Sequence, residues 1–172
     1  LKLEYNQKAL STLLELSALA PTDAKIYYNI GLLYDQLGDT VNAQLAYKKS
    51  LELKPDYEAA YLNRANAYTD IGDFHAAIED YNKAIVLQPE NADIYCLRGQ
   101  SKSTLENYQE AIHDFNEAIA LSPDDAISYS SRALCKYLLK DQEGARADWM
   151  KAGSLGYARA YDFLDGFGLL AF

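Results

Sequence analysis

Apolar residues along this chain recur at helical spacing, in stripes that start and stop twice within every 34 residues. In residues 58–91, Tyr61, Ala65 and Tyr68 stand at i, i+4 and i+7, and a second stripe runs through Ala77, Tyr81, Ala84 and Leu87. Between the stripes lies Ile71-Gly72-Asp73, where glycine can take the left-handed conformation that ends a helix. Pro89 follows the second stripe, and a helix cannot continue through it. The pattern predicts a helix, a tight turn and a second helix.

The same grammar repeats. Pro21, Pro55, Pro89 and Pro123 are each separated by 34 residues, and so are Tyr27, Tyr61, Tyr95 and Tyr129. Ala43, Ala77, Ala111 and Ala145 hold a second series, and Leu53, Leu87, Leu121 and Leu155 a third. An aromatic stays in phase at Tyr47, Tyr81, Phe115 and Trp149, and a small residue at Gly31, Ala65, Gly99 and Ala133. Small residues let two helices approach closely while the aromatics fill the gap that remains. One helical hairpin cannot bury both its faces, so neighbouring units must stack into a superhelix.

The series Tyr61, Arg64-Ala65, Tyr68, Gly72-Asp73-Phe74, Ala77-Ile78, Tyr81, Ala84, Leu87, Pro89 resembles the tetratricopeptide repeat. The resemblance implies an all-α, right-handed superhelical solenoid of stacked antiparallel helix–turn–helix units, one domain over residues 1–172. It divides into a half unit at 1–23, full units at 24–57, 58–91 and 92–125, a degenerate unit at 126–159 and a capping tail at 160–172. The half unit keeps the second-helix positions Ala9, Leu13 and Leu16 without a first helix. The degenerate unit carries Gly144, Gly153 and Gly156, and Tyr157 where proline is expected. The chain begins Leu1-Lys2-Leu3, which reads as a processed product or a piece of something longer. A cytoplasmic location is slightly favoured, with export left open.

Charge narrows the partners. Lys+Arg 16 against Asp+Glu 25 gives a net charge of −9, and an acidic surface repels phosphate backbones and anionic membranes. That argues against nucleic acid, and no apolar run reaches the roughly 18–20 residues of a membrane helix. One charge pattern is itself periodic: Arg64, Arg98 and Arg132 are in phase, and so are Asp80, Asp114 and Asp148. The unit with Ile30 in place of arginine has Ala46 in place of aspartate. Charge present on both helices or on neither predicts an Arg–Asp pair bridging the hairpin; an exposed basic ladder for an anionic ligand is the alternative.

Catalytic chemistry finds no foothold. His75 and His113 fall at different places in their units, and no His-x-x-x-His or Cys-x-x-Cys spacing occurs. Cys96 and Cys135 suit small-residue packing, the nine glycines make no phosphate loop, and Trp149 sits on a core aromatic position. The expectation is a chain with no enzymatic activity, cofactor or metal.

Family resemblance places the first helix of each unit on a concave wall, the usual binding surface for extended peptides or helices. By repeat position the peptide-binding groove would present Tyr28, Asn29, Leu32, Leu62, Asn63, Asn66, Asp70, Gln100, Leu134 and Tyr137. An asparagine can donate and accept at once, which matches a peptide backbone. Asn29 and Asn63 are in phase and resemble the asparagine ladder of some family members, although Leu97 and Ser131 occupy the next rungs. The clamp of Lys, Asn, Asn, Lys and Arg that grips acidic C-termini of heat-shock chaperones is not present. Its positions read Tyr28, Leu32, Asn63, Asp93 and Leu97, or, one unit on, Leu62, Asn66, Leu97, Ile127 and Ser131.

Wall charges of Lys25 against Asp35, Asp70 and Asp93 favour a neutral or basic protein or peptide with apolar anchors. The function expected is a non-catalytic protein–protein interaction scaffold. The apolar tail from Tyr161 to Phe172 either folds back over the last unit, the favoured reading, or packs into another chain as a homodimer. Homo-oligomerisation through that end, or service as the targeting arm of a larger protein, are the alternative functions.

Overall fold

The computed structural model describes residues 2–169. The secondary structure described there is helical: α1 (Lys2–Leu19), α2 (Ala24–Gln36), α3 (Thr40–Leu53), α4 (Glu58–Asp70), α5 (Phe74–Leu87), α6 (Ala92–Thr104), α7 (Tyr108–Leu121), α8 (Ala126–Leu138), α9 (Gln142–Ser154) and α10 (Arg159–Gly166). They form two compact units, residues 1–88 and 89–172. In the first, α1 lies on α2, and α2–α3 and α4–α5 are antiparallel hairpins; in the second, α6–α7 and α8–α9 are hairpins and α10 lies on α9.

Local chemistry sets the helix ends. Asp23, Asp39, Asp73, Asn91, Asp125 and Asp141 each accept a backbone N–H of the first turn that follows, satisfying a donor the helix itself cannot. The turn inside each hairpin passes through the left-handed region at Gly38 (φ 77°) and Gly72 (φ 80°) in the first unit. At the same repeat position the second unit uses Glu106 (φ 62°) and Lys140 (φ 69°), where a Cβ makes that conformation unfavourable.

The in-phase aromatics Tyr47, Tyr81, Phe115 and Trp149 are all fully buried. A Cβ on Gly99 would stand 2.8 Å from the ring of Phe115, and one on Gly31 would collide with the ring of Tyr47. The small-residue series is thus a steric requirement, because a ring fills the space where a side chain would go.

The Arg–Asp pairs exist. Arg64 Nε and Nη2 donate to the two carboxylate oxygens of Asp80 at 2.7 and 2.8 Å. Arg98 engages Asp114 the same way at 2.9 and 2.6 Å, and Arg132 engages Asp148 at 2.8 and 2.7 Å. The aspartate side chains are 7, 1 and 7% exposed, so these are two-pronged bonds inside hairpins, and the reading as an exposed basic ladder is displaced. Each guanidinium also lies over an in-phase tyrosine: Arg64 over Tyr61 at 5.9 Å, Arg98 over Tyr95 at 5.7 Å and Arg132 over Tyr129 at 5.3 Å. In the α2–α3 hairpin the same place is filled by buried Ile30 and Ala46.

The two ends differ. α1 holds the second-helix register, but Leu16 is 41% exposed where its repeat equivalents Ser50 and Ala84 are fully buried. At the other end α10 covers α9, with Leu164 and Leu169 buried against Trp149, Ala152 and Ala160. Arg159, Tyr161, Asp162 and Asp165 face outward. The described part of the tail folds back on the last hairpin; Leu170, Ala171 and Phe172 lie outside the described residues. Tyr157, standing where proline was expected, packs against the same cluster.

Candidate functional site

In the first unit α2 and α4 run side by side and carry seven of the ten expected groove residues. At one end the ring of Tyr28 lies 4.8 Å from that of Tyr57, and the ammonium of Lys54 sits 4.8 Å from the Tyr57 centroid. Asn63 Nδ2 donates to the Tyr28 hydroxyl at 2.9 Å, a bond that ties α4 to α2. In the middle, Leu32 and Leu62 are half-buried and Asn29 is exposed. Asn66 Oδ1 accepts from the Tyr81 hydroxyl at 2.7 Å.

Carboxylates mark the other end. Asp35 is half-buried and accepts from the Tyr47 hydroxyl, while Asp70 is exposed. Burial holds the Asp35 carboxyl above the usual range, and the charge of Asp70 pushes the same way. Burial likewise raises the Tyr47 phenol, with Asp35 adding to it, and raises Tyr81 to about 12 with help from Asp70 and Asp80. Both phenols are therefore hydrogen-bond donors throughout the physiological range.

In the second unit α6 and α8 form the corresponding wall. Gln100 and Leu134 share a cavity of about 270 Å³ with Ser103, Thr104, Phe115 and Ser131. Tyr137 is placed differently: the ring of Phe167 stacks on it at 4.3 Å and on Trp149 at 5.4 Å. The chain's own tail thus covers the last expected groove residue. Trp149 Nε1 is buried without a hydrogen-bond partner, in contrast to the tethered hydroxyls of Tyr47 and Tyr81.

Three partners of these residues escape wall-position reasoning. Tyr57 precedes its helix and has no wall position, while Tyr47 and Tyr81 read as pure core. The available signal was that a fully buried tyrosine hydroxyl must find an acceptor. Ser103, Thr104 and Ser131 stand at wall positions but carry no feature that separates them from solvated polar sites.

Cys96 and Cys135 are buried free thiols, and burial pushes Cys96 up to about 11. That keeps it protonated and unreactive at neutral pH. Among the described residues no group of three or more His, Cys, Asp and Glu side chains could hold a metal ion. No helix of the described residues is long and apolar enough to cross a membrane.

Comparisons with known proteins agree on the architecture. A family model described as tetratricopeptide repeat matches residues 24–57 and 92–125, and one described as TPR repeat matches residues 65–103, together more than half of the chain. Among curated proteins none matches. Among solved structures, a crystal structure of MamA is similar at TM-score 0.86 and 22% identity, covering 91% of each chain. MamA 41-end from Desulfovibrio magneticus RS-1 is similar at TM-score 0.84 and 21% identity, covering 90% of this chain and 87% of that one. At this identity the likeness speaks for the fold: an all-α stack of helical hairpins.

Proposed function

The chain belongs to the tetratricopeptide-repeat family, and on that premise we propose that it is a non-catalytic interaction scaffold that holds a peptide segment of a protein partner on its first-helix walls. The observation that carries this reading is the state of the two asparagines on α4. Asn63 gives one N–H to Tyr28, and Asn66 gives its oxygen to Tyr81. Each amide is fixed in orientation by a tyrosine that is itself held by packing. What these bonds leave available is the carbonyl oxygen and second N–H of Asn63 and both N–H groups of Asn66, one acceptor and three donors. That is the complement of an extended peptide backbone, already ordered before binding, so less conformational freedom is lost on association.

Asp35 and Asp70 give this wall a negative end, while Tyr28, Tyr57, Leu32 and Leu62 supply apolar contact. The partner segment is accordingly neutral or basic with apolar anchors, and an acidic chaperone C-terminus would be repelled. The test is a peptide-library selection on the full chain beside an Asn63→Ala, Asn66→Ala variant of unchanged helicity. Peptides that enrich on the parent and fail on the variant support the wall of α2 and α4 as the working surface. Equal binding to both sinks it.

A further inference from the structure

α1 carries two seams, and only one of them is covered. Asn6, Leu10, Leu13, Ser17 and Ala20, spaced alternately four and three residues apart, make the first. Leu10, Leu13 and Ala20 pack beside Ile26 and Ile30 of α2, and Asn6 Nδ2 donates to Gln36 Oε1 at 2.9 Å. Tyr5, Ala9, Thr12, Leu16 and Leu19 repeat the spacing one residue earlier, about 100° round the helix. This second stripe is bare: Tyr5 is 74% exposed, Leu19 82% and Leu16 41%. Beside it runs a groove of about 450 Å³ lined by Tyr5, Lys8, Ala9, Thr12 and Leu13.

In α3, α5, α7 and α9 the residues in phase with Ala9, Thr12 and Leu16 are all buried within their hairpins. α1 has no hairpin partner of its own among the described residues, and its sequence carries no turn that would supply one. The positions in phase with Gly38-Asp39 and Gly72-Asp73 are Glu4-Tyr5, and the helix runs straight through them. A chain that stays helical there cannot fold back onto the stripe at that point, so the cover has another source.

The stripe's own pattern selects it. Alternating four-three spacing is the seam of a two-helix coiled coil. Centred on Thr12, the stripe reads alike in both directions, with Ala9 and Leu16 on either side and Tyr5 and Leu19 beyond them. Laid antiparallel on a copy of itself, it sets Tyr5 against Leu19 and the small Ala9 beside Leu16, and the contact closes with two-fold symmetry. Charge agrees with this pairing. Lys8 and Glu15 are exposed and flank the stripe along one edge, on opposite sides of Thr12. Antiparallel pairing brings Lys8 of each copy opposite Glu15 of the other, twice in one dimer. We infer that α1 is a self-association surface, two copies of this chain pairing antiparallel through Tyr5, Ala9, Thr12, Leu16 and Leu19. The surface is separate from the C-terminal end, where Phe167 and Leu169 are taken up by the chain's own last hairpin. It is also independent of the peptide wall proposed above.

Sedimentation velocity of the full chain over a concentration series is the test. The parent should show a monomer–dimer equilibrium, and Leu16→Glu should weaken it by roughly tenfold or more. Lys8→Glu and Glu15→Lys each turn both attractive pairs into repulsive ones, and each should weaken the dimer by roughly fivefold or more. Mixed in equal amounts, those two variants should pair with each other about as tightly as the parent pairs with itself. The chain carrying both Lys8→Glu and Glu15→Lys should recover as well. Should Leu16→Glu lose helicity, the charge variants, both at exposed positions, decide alone.

A parent that stays monomeric across the series overturns the inference. So does a dimer indifferent to a folded Leu16→Glu. A dimer whose charge variants leave it unchanged, or fail to restore it when mixed, overturns the antiparallel pairing and with it the assignment of a second copy to this face.

Discussion

The two compact units use one hairpin plan and fill it with different chemistry. In the first, the helix-ending turns are Gly38 and Gly72; in the second, Glu106 and Lys140. In the first, the residue one turn beyond the arginine position is Tyr34 or Tyr68, and Arg64 lies between Tyr61 and Tyr68 at 5.9 Å from each. In the second it is lysine, and Lys102 and Lys136 approach Asp114 and Asp148 at 2.9 and 2.8 Å. The first unit ties its core tyrosines to the wall; the second, with Phe115 and Trp149, does not. The lesson is that backbone register is set by small-residue and aromatic sizes, which hold throughout. Polar chemistry at the remaining positions is free to vary in self-consistent sets.

The sharpest way to break that comparison is Asp114→Leu. It removes the carboxylate, 1% exposed, that Arg98 and Lys102 share inside the hairpin, and should cost about 3–5 kcal/mol in urea unfolding. Arg64→Ile with Asp80→Ala writes the Ile30 and Ala46 set into the neighbouring hairpin. If sets are exchangeable it should change stability by no more than about 1 kcal/mol, since a well-packed apolar pair can replace a buried ion pair. A loss as large as that of Asp114→Leu would mean the ionic set is required where it stands.

A smaller effect of opposite sign is expected from Glu106→Gly and Lys140→Gly, which give the second unit the turns of the first. Relieving a left-handed non-glycine residue outweighs the extra chain entropy of glycine, so each should stabilise by up to about 1 kcal/mol. Thermal melts of the single variants check this, and an unchanged or lowered midpoint contradicts it.

The smallest effect concerns the wall carboxylate. Because burial raises Asp35, the fold favours its protonated form, so its contribution is present at low pH and lost as pH rises through the folded-state value. Asp35→Asn should therefore be slightly more stable than the parent at neutral pH, with the gap closing on acidification. A gap that widens on acidification would show Asp35 stabilised as the anion.

Much of the fold was legible because the chain repeats its own evidence. A single Tyr61 or Pro89 is weak; four copies in phase are not. The Arg–Asp bridges were legible for a related reason, since Ile30 and Ala46 lose both charges together. Groove positions followed from register, but the state of the side chains on them did not. Nothing local to Asn66 announces that a tyrosine 15 residues later will claim its oxygen. Nor does Tyr137 show that Phe167 will lie across it, because that contact depends on where a short α10 ends. The cavity lined by Gln100 and Leu134 is likewise set by side-chain conformation, which register alone does not give.

One consequence follows from the single tryptophan. Trp149 lies in the last hairpin beneath Phe163 and Phe167, while the 15 tyrosines are distributed along the chain. Indole emission is thus an optical report on the last hairpin alone, and far-UV dichroism a report on every helix. Stacked repeats bind chiefly to their neighbours, so cooperativity between hairpins is a quantity that can differ from complete. Denaturation followed by both signals at once would measure it directly in the unmodified chain, as coincident curves for a single transition or as two midpoints for a molecule that melts from one end.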